Sequence, residues 1–249
     1  MTLLRYPDAR TAAQACGQHI MDLLREALAA RPVATLAVSG GSSPRPMFEL
    51  FAKSSFLWKQ VHVFWVDERY VPVSDPQSNF RLANDTWLTP ANIPIENVHR
   101  IPTETEPHES AREYAEGIQT FFRSALGLKP GEQPQFDVIH RGIGPDGHTA
   151  SLFPGEALIE NRDRLAAAIW VEKLRQWRVT LLPGVLEAAR HTVVLATGDD
   201  KAMALHATLC EAYEPLKWPA QIAAQAANTT WFTDLAASAF LPDPPKEVA

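Results

Sequence analysis

The chain has 249 residues, 46% of them hydrophobic and 21% charged, with a formal net charge of −6. That size suits one α/β domain spanning residues 1–249, and the composition is that of a chain with a sizeable core, which excludes disorder except at the ends. No long Lys/Arg run exists and basic residues do not interleave with aromatics, so a nucleic-acid partner is excluded, because phosphate-backbone binding needs a concentrated positive face. Cys16 and Cys210 are too few for a disulfide framework or metal cage and read as buried thiols in a reducing compartment. No apolar run approaches the roughly 20 residues that span a bilayer. The N-terminus lacks the charged and apolar regions of a signal peptide. No membrane partner and a cytoplasmic location are therefore expected, and the sequence sets no oligomeric state.

In chain order, Asp8–Ala30 carries apolar residues at helical spacing, and Pro32 ends it. Val33–Val38 is an apolar strand that runs into Ser39-Gly-Gly-Ser-Ser43, with Pro44 opening a helix through Phe51. Val61–Val66 is a second buried strand, ending on Asp67-Glu-Arg69. Helices are predicted over Asn79–Leu88 and about His108–Leu126, with a short segment at Val98–Ile101 between them. Phe136–Ile139 is a third strand. Trp170 and Val179–Leu182 mark further ones, and His191–Thr197 is a strong strand followed by a helix over Asp199–Cys210. Thr229–Thr233 is a last strand before a terminal helix, and the Pro-rich tail from Leu241 is expected to fray. Such alternation predicts an α/β fold, Rossmann-like, with a mainly parallel sheet and helices on both faces.

Three polar clusters fall where strands end, the place where open α/β sheets bind ligands. In the first, Gly40 and Gly41 let the backbone approach an anion, the following helix start offers free N–H groups, and Ser42 and Ser43 add hydroxyl donors. A plain turn with a serine cap would look the same locally. In the second, Asp67 can orient a water or a sugar hydroxyl and Arg69 can clamp an anion; a surface ion-pair turn is the alternative. The third, Gly142–Gly155, holds Asp146 and His148 in a glycine-rich loop. Imidazole titrates near neutrality and can take a proton from water, while a neighbouring carboxylate fixes its tautomer. The other seven histidines read as structural. The Ser39–Pro44 turn matches neither GxGxxG nor the Lys-bearing P-loop, so it implies no nucleotide, and with neither HExxH nor GxSxG present zinc and serine-nucleophile chemistry lack their signatures. No metal site and no cofactor are expected.

Ser39-Gly-Gly-Ser-Ser-Pro44, Asp67-Glu-Arg-Tyr-Val-Pro72 with Ser78-Asn79, and Gly144-Pro-Asp-Gly-His-Thr-Ala-Ser-Leu-Phe-Pro154 resemble, in that order, the 6-phosphogluconolactonases. The resemblance extends to Arg178-Val-Thr-Leu and Gly198-Asp-Asp-Lys201, and so covers nearly the whole chain. It implies a Rossmann-like fold, a phosphorylated sugar lactone as substrate, no metal requirement, and a step in the oxidative pentose phosphate pathway. It also implies catalytic roles for His148, Asp146 and Asp67, with phosphate held by Gly40, Gly41, Ser42 and Ser43 and by cations from Arg69, Arg178 or Lys201. One departure stands out: His140-Arg141 replaces the apolar residues that the family runs up to its Gly-x-Gly, and Arg141 is expected to face solvent, with reaching the substrate as the alternative. The rivals are a sugar-phosphate isomerase or glucosamine-6-phosphate deaminase on the same fold, and a sugar-phosphate-binding regulator without activity. Deaminases resemble the chain at two of the clusters but carry Asn-Glu-Pro where this chain has Leu152-Phe-Pro154; Glu156 alone keeps that rival open.

Overall fold

Residues 1–242 are described by a computed structural model. The chain begins with strand β1 (Thr2–Tyr6), helix α1 (Ala9–Ala30), β2 (Ala34–Val38), α2 (Arg45–Lys53), β3 (Val61–Trp65) and β4 (Asp67–Arg69). It continues through α3 (Asn79–Ala83), β5 (Val98–His99), α4 (Pro107–Leu126), β6 (Val138–Gly142), β7 (Ala166–Val171) and β8 (Gln176–Leu181). The remaining elements are α5 (Pro183–Ala188), β9 (His191–Ala196), α6 (Ala202–Cys210) and β10 (Thr229–Asp234).

Seven strands form one sheet in the order β1-β10-β9-β6-β2-β3-β5, and every pairing in it is parallel. The strands are continuously apolar because both faces are covered. On β9, Val193 and Leu195 join the core that holds Ile20 and Leu24 of α1, whereas Val194 and Ala196 pack with Ala204 and Leu205 of α6. Capping sets the helix limits. Asp8 accepts the Thr11 N–H at 2.8 Å to start α1, and extended Arg31 before Pro32 stops it.

The polar triplet after β3 is itself a strand. Val66 donates its N–H to Val38 in the large sheet and accepts one from Leu181, which hands the chain to a second, antiparallel sheet β4-β8-β7. That small sheet stands over the carboxyl ends of the parallel strands and sets Arg69 opposite Arg178.

Several expectations change. β1, not expected from the sequence, pairs along β10 from Thr2 to Tyr6 and forms one edge of the large sheet. The helix expected over Asn79–Leu88 is α-helical only to Ala83; Asn84–Leu88 widens to a π-helical turn that keeps Trp87 and Leu88 buried. Phe136 and Asp137 precede their strand, because Asp137 uses its carboxylate to accept from Thr35 N and Oγ1 at 2.9 and 3.0 Å. Among the described residues no helix follows β10. Asp234 accepts from Gly198 N and Ala237 N, and the chain leaves in turns. Leu241 is buried, so fraying does not begin there, and the rest of the expected tail, 243–249, lies outside the described residues. Cys16 is buried as expected, but Cys210 is exposed at the end of α6. No helix among the described residues is long and apolar enough to cross a membrane.

Candidate active site

The three clusters and both outlying cations meet around one cavity of about 220 Å³ at the carboxyl ends of β2, β6 and β9. Gly40, Gly41, Ser42 and Ser43 form one wall, with Gly41 at φ +95°. Gly40 must lack a side chain: a Cβ there would lie 1.9 Å from Oδ1 of Asn79. The glycine–serine turn is thus pressed against the start of α3, and Asn79, which sequence reading quoted without assigning a role, also lines the cavity. Its amide donates to the Asp67 carbonyl at 2.9 Å and ties the first two clusters together.

Asp67 and Arg178 supply the wall from the small sheet. Asp67 is buried; its Oδ2 accepts from Ser151 Oγ at 2.7 Å and lies 3.9 Å from the Arg178 guanidinium. Burial pulls the Arg178 pKa down, and Asp67 pushes it back up. Arg69 is fixed by a 2.7 Å bond to the Gln77 carbonyl, while its buried Nε has no partner among the described residues. Glu68, between these two, points away from the cavity chemistry. Its carboxylate accepts from Arg69 N, Asn79 N, Phe80 N and Ser78 Oγ, which stiffens the turn carrying Arg69 and Asn79.

The third wall is the loop after β6. Gly144 N donates to the His148 carbonyl at 2.8 Å and Gly147 N to the Gly144 carbonyl at 3.0 Å, closing a tight turn. His148 Nδ1 is 2.5 Å from Asp146 Oδ1, so the two groups share a proton-bearing contact that leaves Nε2 to the cavity side chemistry. His148 lines the cavity; Asp146 stands behind it. Burial alone would raise the Asp146 pKa, but its bonds to His148 and Lys173 outweigh that and hold the carboxyl well below the usual carboxylate range. Lys173, from the turn between β7 and β8, bonds the other Asp146 oxygen and rests 4.5 Å over the Phe153 ring, which itself packs 4.4 Å from His148. Sequence reading missed Lys173 because nothing in a polar turn shows which distant carboxylate it will meet.

Lys201 reaches the cavity from the turn after β9, paired with Asp200, and the Gly198 bond to Asp234 anchors that turn. Arg141 does not face solvent. It is 1% exposed, its guanidinium bonds the Ile222 carbonyl and lies 3.4 Å from Thr149 Oγ1, and burial lowers its pKa to about 10. A strand in the middle of a covered sheet has no solvent side to offer. His140, read as structural, lines the cavity instead. Glu156 is not among the lining residues. Among the described residues, no three His, Cys, Asp or Glu side chains converge as a metal site would require.

The family model for glucosamine-6-phosphate isomerases/6-phosphogluconolactonase matches residues 7–231. The chain belongs to that family. A 6-phosphogluconolactonase from Nostoc sp. is 38% identical over 208 residues, covering 83% of this chain and 84% of its own. A crystal structure of 6-phosphogluconolactonase from Thermotoga maritima aligns with a TM-score of 0.80 at 27% identity, covering 94% of this chain and 99% of that one. A monomeric glucosamine-6-phosphate deaminase shares the fold, with a TM-score of 0.79 at 17% identity over 96% of this chain and 99% of that one. The glucosamine-6-phosphate isomerase/6-phosphogluconolactonase family thus contains more than one chemistry on this sheet, and the residues around the cavity must separate them.

Proposed function

We propose that the chain hydrolyses 6-phospho-D-glucono-1,5-lactone to 6-phosphogluconate, as the second step of the oxidative pentose phosphate pathway, in the cytoplasm and without a metal. The observation that carries this reading is the Asp146–His148 pair, 2.5 Å apart, beside a cavity that also holds a glycine–serine anion loop and three cationic side chains. The backbone of Gly40 and Gly41, the hydroxyls of Ser42 and Ser43, and Arg69, Arg178 and Lys201 bind the phosphate and so orient the lactone.

With Nδ1 engaged by Asp146, His148 uses Nε2 to remove a proton from a water whose oxygen adds to C1. Loop N–H groups or an arginine stabilise the oxyanion. As C1 regains its double bond, the bond to the ring oxygen breaks, and that oxygen takes the proton from His148. Asp146, kept ionised by Lys173 and His148, fixes the ring's tautomer and favours the imidazolium formed midway. Asp67, held by Ser151, orients the water or a sugar hydroxyl. A deaminase would need a carboxylate after the histidine loop to open an amino sugar; Leu152 and Phe153 are apolar and buried, and Glu156 is off the cavity. Assay of lactone turnover by the purified chain, with uncatalysed opening subtracted, tests the reading. Turnover at the blank rate would refute it.

A further inference from the structure

β6 carries His140 and Arg141 side by side, and alternation along the strand sends them to opposite faces of the sheet. Arg141 is accounted for by the Ile222 carbonyl and Thr149. His140 is not. It is 1% exposed, lies beside Val193 of β9, lines the cavity, and neither Nδ1 nor Nε2 has a partner among the described residues. An unpaired buried polar group is costly to keep, and an apolar residue of similar size would avoid that cost. The cost is offset if a group that enters the cavity bonds the ring.

The chemistry of the ring narrows that group. Anion binding is already supplied by the glycine–serine turn, Arg69, Arg178 and Lys201. Burial drives the His140 pKa down to about 3, so its ring is neutral and offers one N–H donor and one lone pair. A hydroxyl, which both gives and takes a hydrogen bond, matches either tautomer. We propose that His140 hydrogen-bonds a ring hydroxyl of the bound sugar lactone and is a specificity-determining residue of this site. The inference rests on the lactonase reading above.

The test measures kcat/KM for wild type, His140→Leu and His140→Gln, using 6-phosphogluconolactone and analogues lacking the hydroxyl at C2, C3 or C4. Wild type should lose roughly 5- to 10-fold at one of these positions, the scale of a single neutral hydrogen bond. His140→Leu should show that loss already with the full substrate and no further loss at that position, with a Tm at or above that of wild type. His140→Gln should recover part of it. A His140→Leu variant that keeps wild-type kcat/KM, or discriminates among the analogues as wild type does, overturns the proposal. Should His140→Leu fail to fold, ring-nitrogen NMR of His140 in the wild-type chain decides: its resonance should shift with saturating 6-phosphogluconate and not with inorganic phosphate. No shift with either, or equal shifts with both, would also overturn it. Failure of the lactonase reading would show separately, as wild-type turnover at the blank rate.

Discussion

Replacing His148 by Ala removes the imidazole and leaves Gly40–Ser43, Arg69, Arg178 and Lys201 in place around the cavity. Turnover of the lactone, kcat, should fall roughly 100-fold or more, the scale for losing a general base, while KM changes little. Near-wild-type kcat would remove His148 from the mechanism. Asp146 gives a pH-dependent prediction. Its folded pKa lies below the unfolded value of about 4, so its contribution to stability is present above that value and is lost as pH falls through the folded pKa. Urea midpoints of wild type and Asp146→Asn should therefore differ most near pH 7 and draw closer as pH falls below about 4; a difference that grows on acidification would contradict the assigned pairing. The Asp146–His148 pairing was legible because both residues fall in one short glycine-rich loop at a strand end. Arg141 misled because sequence shows that a strand ends but not that its last residues are still covered, here by the segment carrying Ile222.

At the scale of elements, the parallel strands β2, β3, β6, β9 and β10 were readable from their apolar runs. β7 and β8 were marked only at Trp170 and Val179–Leu182, and β1 and β4 were not read: β4 is three charged residues, Asp67–Arg69, and only its pairing with β8 makes it a strand. The π-helical turn at Asn84–Leu88 answers to packing as well, since Trp87 must reach the rings of Phe48, Phe51 and Trp58. The junction between the β2–α2 turn and α3 should be the least tolerant of change. In Gly40→Ala the new methyl must displace Asn79, and with it the bond to Asp67. The expected result is a kcat/KM for the phosphorylated lactone lower by roughly 10- to 100-fold, as for an ångström-scale misplacement. Unphosphorylated gluconolactone, expected to be a poor substrate from the outset, should suffer much less. Equal losses on both lactones would mean that this turn does not hold the phosphate.

For the whole molecule, two sheets meet at the cavity: the parallel sheet presents the glycine–serine turn and His148, and the antiparallel one brings Arg69 and Arg178 against them. Sequence revealed the ingredients through their places at strand ends but not this meeting, because the Arg69–Arg178 register depends on a hairpin 109 residues further along the chain, by the difference of 178 and 69. Because the proposed mechanism activates water with His148 alone, dialysis against EDTA should leave lactone turnover unchanged; a loss restored by zinc, magnesium or manganese would reverse the metal-free mechanism. The most direct measurement runs 6-phosphogluconolactone and glucosamine 6-phosphate on one preparation, with His148→Ala as the control for contaminating enzyme. The account predicts ready lactone hydrolysis that collapses in the variant, and no detectable ammonia. Ammonia release that exceeds lactone turnover and vanishes in His148→Ala would contradict it.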